Sequence, residues 1–201
     1  MVSSSWLRVL GVLVLVGTCA FGAASRASAS LVLALDLSTL VARASHVVVA
    51  RVESQRARYD ARGRIVTDVT LRVDESLVGP ARVGERVVLE RFGGAIGELG
   101  MRVEGEPLFA DGTRVLVFAA PAASSGAGRL RPVGMAQGVM RVEPPTVPGG
   151  EDRVLPGGEG LALVRPERGR LVTSEPAIAA PRPLGAVRDA IVRLRGVRRA
   201  P

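Results

Sequence analysis

The chain has 201 residues and a formal charge of +8, and 47% of its residues are hydrophobic. All 27 basic residues are arginine, there is one histidine and one cysteine, and aromatics make up 3%. This composition excludes a disulfide framework and the usual His/Cys zinc sets, and scattered arginines without aromatics for stacking argue against a nucleic-acid partner.

Residues 1–29 read as a cleaved export signal. Arg8 supplies the positive start, Val9 to Ala20 form the apolar core, and Ala27-Ser28-Ala29 matches the small-residue cleavage pattern. The apolar run falls short of the ~20 residues that span a bilayer, so no stable transmembrane anchor is expected. Cys19 lies in this leader behind Val16-Gly17-Thr18, a poor lipoprotein signal, which leaves a mature chain without cysteine. The expected location is the periplasm or the extracellular medium.

Residues 30–142 read as the main domain. Leu37, Leu40, Val41 and Ala44 share a helical face, with Asp36 or Ser38 as cap. "HVVVARVES" reads as a strand, and Gly63 suits the turn that follows it. In "IVTDVTLRVDES", Ile65, Thr67, Val69, Leu71 and Val73 alternate with Asp68, Thr70, Arg72 and Asp74, the pattern of a strand with one wet face. "RVVLERF" and "MRVEGEPLF" are the next expected strands, flanking the Gly-rich "GGAIGELG". After the turn pair Asp111-Gly112, "TRVLVFAA" is apolar on both faces, as in a central strand, and "RLRPVGMAQGVMRVE" offers two short strands.

Residues 143–160 are rich in Pro and Gly and read as an exposed loop or excursion. Residues 161–173 read as an accessory β-hairpin. Residues 174–201 read as an extended link and a C-terminal amphipathic helix, with Leu184, Val187, Ile191 and Leu194 at helical spacing. That helix either packs its stripe on the strands or lies on an anionic membrane. About six short strands with helices at both ends imply a mainly β fold, a small OB-like antiparallel β-barrel.

The chemistry on offer is sparse. His46 is the lone candidate base, and no serine sits in a G-x-S-x-G elbow. Gly93, Gly94, Gly97 and Gly100 miss the dinucleotide spacing, no lysine completes a P-loop, and strand-like sequence follows where a helix would be needed. The Gly-rich stretch therefore reads as a connection between strands. Its apolar residues Phe92, Ile96, Leu99 and Met101 either cap a barrel mouth or anchor a partner. Glu98, Glu104 and Glu106 form a carboxylate cluster, with Glu104 and Glu106 on one face of the expected strand. They are either a solvated edge or a weak cation site. The pairs Asp74-Glu75 and Glu151-Asp152 are adjacent, so in a strand the first pair points to opposite faces. No cofactor and no resident metal are expected.

The stretch "RFGGAIGELGMRVEGEPLFADGTRVLVF", with the later "GMAQGVMRV", resembles a family of uncharacterised exported bacterial proteins sharing a "GG…G…V.G.P.F..G..VLVF" core and a "G..QG...V" element. The resemblance spans Leu35 to Val142 and implies a family without an activity. The strand opening at "ASHVVVARV", its charged turn and the long alternating strand also look like netrin-type OB domains, which include the tissue inhibitors of metalloproteinases. Those inhibitors chelate zinc through an N-terminal cysteine, which this mature chain lacks, so only a fold is implied. The functional expectation is an exported, non-enzymatic binding module with a protein partner, a protease being the concrete case. The alternatives are a carboxylate-dependent hydrolase and a structural envelope component.

Overall fold

The structure, a computed structural model, describes residues 30–122 and 128–197. The leader, Cys19 and the residues after 197 lie outside the described residues. The fold is mainly β, with two helices. In chain order the elements are β1 (Ser30–Leu33), α1 (Leu37–Arg43), β2 (His46–Tyr59), β3 (Ile65–Val78), β4 (Arg86–Phe92), β5 (Gly94–Ile96), β6 (Leu99–Met101), β7 (Arg114–Pro121) and β8 (Arg129–Pro132). A 3-10 turn (Met135–Gly138) leads to β9 (Val139–Glu143), followed by β10 (Arg153–Val154), β11 (Leu161–Glu167), β12 (Arg170–Thr173), β13 (Arg182–Pro183) and α2 (Leu184–Val197). The strands missed by sequence reading are mostly two to four residues long, too short for alternation to register.

Eight strands form one sheet in the order β13-β10-β9-β7-β2-β3-β4-β8. β7 also pairs with β8, so the pairings lead from β7 through β2, β3, β4 and β8 back to β7. All contacts in that circuit are antiparallel except β4–β8. β2 and β3 run 14 residues each, and three register shifts between them mark the bulges that bend such long strands.

Strand alternation divides the core in two. Val48, Ala50, Val52, Val69, Leu71, Val73, Leu89, Val115 and Val117 meet inside the five-strand circuit. The opposite faces of β2 and β7, with Val47, Val49, Leu116 and Phe118, pack against Leu40, Val41, Val187 and Ile191 of the helices. The apolar stripe of α2 is therefore spent on the sheet. Its membrane-surface reading is set aside because Val187 and Ile191 are fully buried. Asp36, not Ser38, caps α1: its carboxylate accepts from Thr39 N, and hydrogen bonds from the Thr39 side chain, the Thr39 N–H and the Ser38 hydroxyl pull its pKa down.

The Pro/Gly-rich 143–160 segment is exposed, irregular chain from 144 to 151, as expected, and is anchored to the sheet at Asp152 to Val154. β10 pairs with both β9 and β13, Val154 is fully buried, and Asp152 receives Arg114 Nη1 at 2.6 Å. Proline density forbids a long strand there but not a two-residue one. Glu151 also accepts a hydrogen bond from Gly185 N, satisfying an otherwise free donor at the start of α2. The 161–173 stretch pairs as the β11–β12 hairpin, and β1 adds to β11 in parallel.

Candidate functional site

The Gly-rich stretch is more than a connection: it folds into its own two-stranded sheet. Ile96 lies opposite Leu99, and the turn residues are Gly97 and Glu98. Gly97 has φ 58° while Glu98 stays at negative φ, the requirement of a II′ hairpin turn. At the root, glycine is compulsory. A Cβ on Gly93 would stand 2.6 Å from Met101 O, and one on Gly94 would collide with Thr67 Oγ1. Thr67 Oγ1 in turn donates to Gly93 O at 2.6 Å, stitching the hairpin to β3.

Of the four apolar residues expected to act together, Ile96, Leu99 and Met101 share one face of the hairpin, and Phe92 stands apart in β4. Leu99 is 63% exposed at the tip, and Ile96 and Met101 are half-buried. None of them joins the core inside the strand circuit; Phe109 packs there from the following loop. Phe92 is engaged already, with the Arg131 guanidinium carbon 3.6 Å and that of Arg64 4.6 Å from its ring centroid.

Behind Phe92 lies an ion network that sequence reading missed. Asp68 and Glu90 stand directly opposite in the β3–β4 register, on one face. Like charges so placed repel, and arginines from β2 and β8 resolve the conflict. Arg58 bridges both acids, at 2.8 Å to Asp68 and 2.5 Å to Glu90. Arg129 reaches Asp68 at 3.0 Å, and Arg131 reaches Glu90 at 3.0 Å. Burial pushes the Asp68 carboxyl up, but hydrogen bonds from Arg58 and Arg129 outweigh it and hold the pKa below its ordinary value. Glu90 is 1% exposed, deep beneath its guanidinium partners.

The segment after β6 corrects the carboxylate expectation. Only Leu99–Met101 of that stretch is strand; 102–110 is turn and irregular chain, so Glu104 and Glu106 do not share a strand face. Gly105 takes φ 85°, and a Cβ there would press on Leu161, a local shape incompatible with a continuing ladder. Glu98 is exposed at the hairpin turn, and Glu104 pairs with Arg102 at 2.8 Å. Among the described residues no group of three or more His, Cys, Asp or Glu is placed to hold a metal ion.

Glu106 goes its own way. It lines a cleft of about 380 Å³ with Glu90, Phe92, Val103, Arg131 and Met135. Its Oε2 is buried without a hydrogen-bond partner, as is Arg91 Nε. Burial raises the Glu106 pKa, opposed by a hydrogen bond from Phe92 N and by the charges of Arg131 and Arg91. Burial likewise lowers the pKa of Arg91.

His46 Nδ1 lies 2.9 Å from Ser45 Oγ, and burial lowers its pKa while Glu85 acts the other way. A Cβ on Gly79 would come within 3.3 Å of its ring, so the imidazole is packed against backbone on that side.

Comparison with protein-family models, curated proteins and solved structures found no match. The functional reading accordingly rests on geometry. A hairpin pinned at its root presents an apolar tip, and beside it a cleft holds one carboxyl of perturbed acidity. No helix of the described residues is long and apolar enough to cross a membrane.

Proposed function

We propose that this protein is an exported, non-enzymatic binding module built on an OB-like β-barrel, with a protein partner that docks on the β5–β6 hairpin. The barrel reading is supported by the circuit β7-β2-β3-β4-β8 returning to β7, and by the apolar cluster enclosed within it. The resemblance to exported bacterial proteins and the leader sequence of residues 1–29 support the location, periplasm or extracellular medium.

One observation carries the docking reading. Leu99 is exposed at the tip of a hairpin whose root is fixed to β3 by Gly93, Gly94 and Thr67. An apolar side chain held out on a rigid support loses little conformational entropy on binding. An exported protease is the partner class to examine first. The test is affinity capture from culture supernatant with the wild-type chain and with Ile96→Asp and Leu99→Asp variants. A specific partner retained by wild type and lost by both variants is expected. A partner retained equally by all three refutes the hairpin as the docking surface.

A second reading, a carboxylate-dependent hydrolase, is favoured by a single feature: the buried Glu106 carboxyl of raised pKa beside Glu90 in a cleft. It requires hydrolytic turnover that Glu106→Gln abolishes with the fold intact.

A further inference from the structure

The three-stranded sheet β1-β11-β12 has two outer edges, and the chain treats them differently. The β1 edge is closed from within. Gln137, itself buried, accepts from Leu35 N at 2.8 Å through Oε1 and donates to Leu33 O at 3.1 Å through Nε2. Its amide stands where a neighbouring strand would otherwise satisfy the backbone.

The β12 edge has no such cover. In an antiparallel pair, residues that exchange backbone hydrogen bonds alternate with residues that do not. Ser174 N donates to Leu163 O at 2.8 Å, so Val172 and Arg170 also bond across to β11. Leu171 and Thr173 fall between them and turn their N–H and C=O groups outward, and both residues are exposed. Proline, a bulge or a charge usually blunts such an edge. The β11–β12 register is regular, and the two outward-bonding residues are neither proline nor charged.

We propose that β12 pairs antiparallel with β12 of a second copy of this chain, about a two-fold axis at Val172. That register sets Leu171 opposite the partner's Thr173, and Thr173 opposite the partner's Leu171, so every outward N–H and C=O of these residues is bonded. Charge selects the same register. Arg168, Arg170 and Glu175 are exposed, and none of them forms an ion pair among the described residues. With the axis at Val172, the partner's Glu175 lies opposite Gly169, between Arg168 and Arg170. Sliding the pairing to set Leu171 against itself would instead place Glu167 opposite the partner's Glu175, where like charges repel. Arg168 also keeps its charge at the turn against the backbone's preference, at φ 47°. A contact of one short strand is at the small end of the interface range, so the dimer is weak and reversible.

The test is sedimentation equilibrium of the chain in its exported form, from micromolar to millimolar concentration. Wild type is expected to pass from monomer to dimer, less readily in high salt. Thr173→Pro removes an outward donor and no donor of the β11–β12 ladder, so the chain is expected to fold and the dimer to weaken about tenfold or more. Glu175→Arg and Arg170→Glu are each expected to weaken association, and an equimolar mixture of the two to recover it, because each reversed charge then meets its opposite. Leu99→Asp, which removes the apolar tip of the β5–β6 hairpin, is expected to leave the dimer unchanged, so this proposal and the hairpin reading fail separately. A chain still monomeric at millimolar concentration overturns the proposal. So does a dimer indifferent to Thr173→Pro, or a mixture no tighter than its components. Capture of a strand from another protein on this edge, by a chain that stays monomeric, overturns it too.

Discussion

Arg131 lies over Phe92 at 3.6 Å while its Nη2 donates to Glu90 at 3.0 Å, so a single guanidinium serves an aromatic face and a buried carboxylate together. Neither Met nor Lys can do both: Met lacks the charge, and Lys lacks the planar fork. A double-mutant cycle with Arg131→Lys and Phe92→Leu, followed by denaturant unfolding, should give a coupling of about 0.5–2 kcal/mol. Strict additivity would mean that the stacking contributes nothing.

Gly94 and Gly97 sit three residues apart in the same hairpin and should respond differently. Gly94 has φ 139° and no room for a Cβ beside Thr67, whereas Gly97 has φ 58° and open space around it. Gly97→Ala should cost about 1–2 kcal/mol, the left-handed penalty alone. Gly94→Ala should cost clearly more, because the hairpin must also leave β3. Thermal unfolding of the two variants side by side measures the difference.

Asp60 should report on acid stability. Arg64 donates to it from side chain and backbone, Arg62 N adds a third bond, and its pKa is held down to about 2 from 3.8. The folded value lies below the unfolded one, so this contribution is present above about 4 and is lost as pH falls toward 2. Melting temperature against pH should therefore fall less steeply on the acid side for Asp60→Asn than for wild type.

Glu106 should behave in the opposite sense. Its folded pKa is raised above 4.5 by burial, so the folded state holds its proton more tightly than the unfolded chain does. Stability is fully present below about 4.5 and declines as pH rises through the folded value. Glu106→Gln, which keeps the shape and never ionises, should raise the melting temperature at pH 8 relative to wild type. At pH 4 the two should converge. A lower melting temperature for the variant at pH 8 would count against the carboxylate being destabilised there.

The alternation at Ile65 to Val73 was plain in the sequence because one face is uniformly apolar and the strand is long. α2 was legible for the same reason, with Val187 and Ile191 buried as their spacing requires. Glu90 was not legible. Its partners come from β2 and β8, and a single acid in "RVVLERF" carries no sign of the arginines that meet it. Glu106 was misplaced because Gly105 was read through as strand, although it breaks the ladder with a positive φ.

The circuit of strands also sets a timetable. His46 pairs with Ala119, and Val88 with Arg129, so the contacts that close the circuit join positions far apart in the chain. Long-range pairing must wait for the loops between to be ordered, which slows folding into the range of roughly milliseconds to seconds. The strand that completes the circuit, β8, is also among the last of it to be synthesised. Until β8 has been made the circuit cannot close, so a nascent chain that ends before Arg129 leaves the outer edge of β4 without its partner.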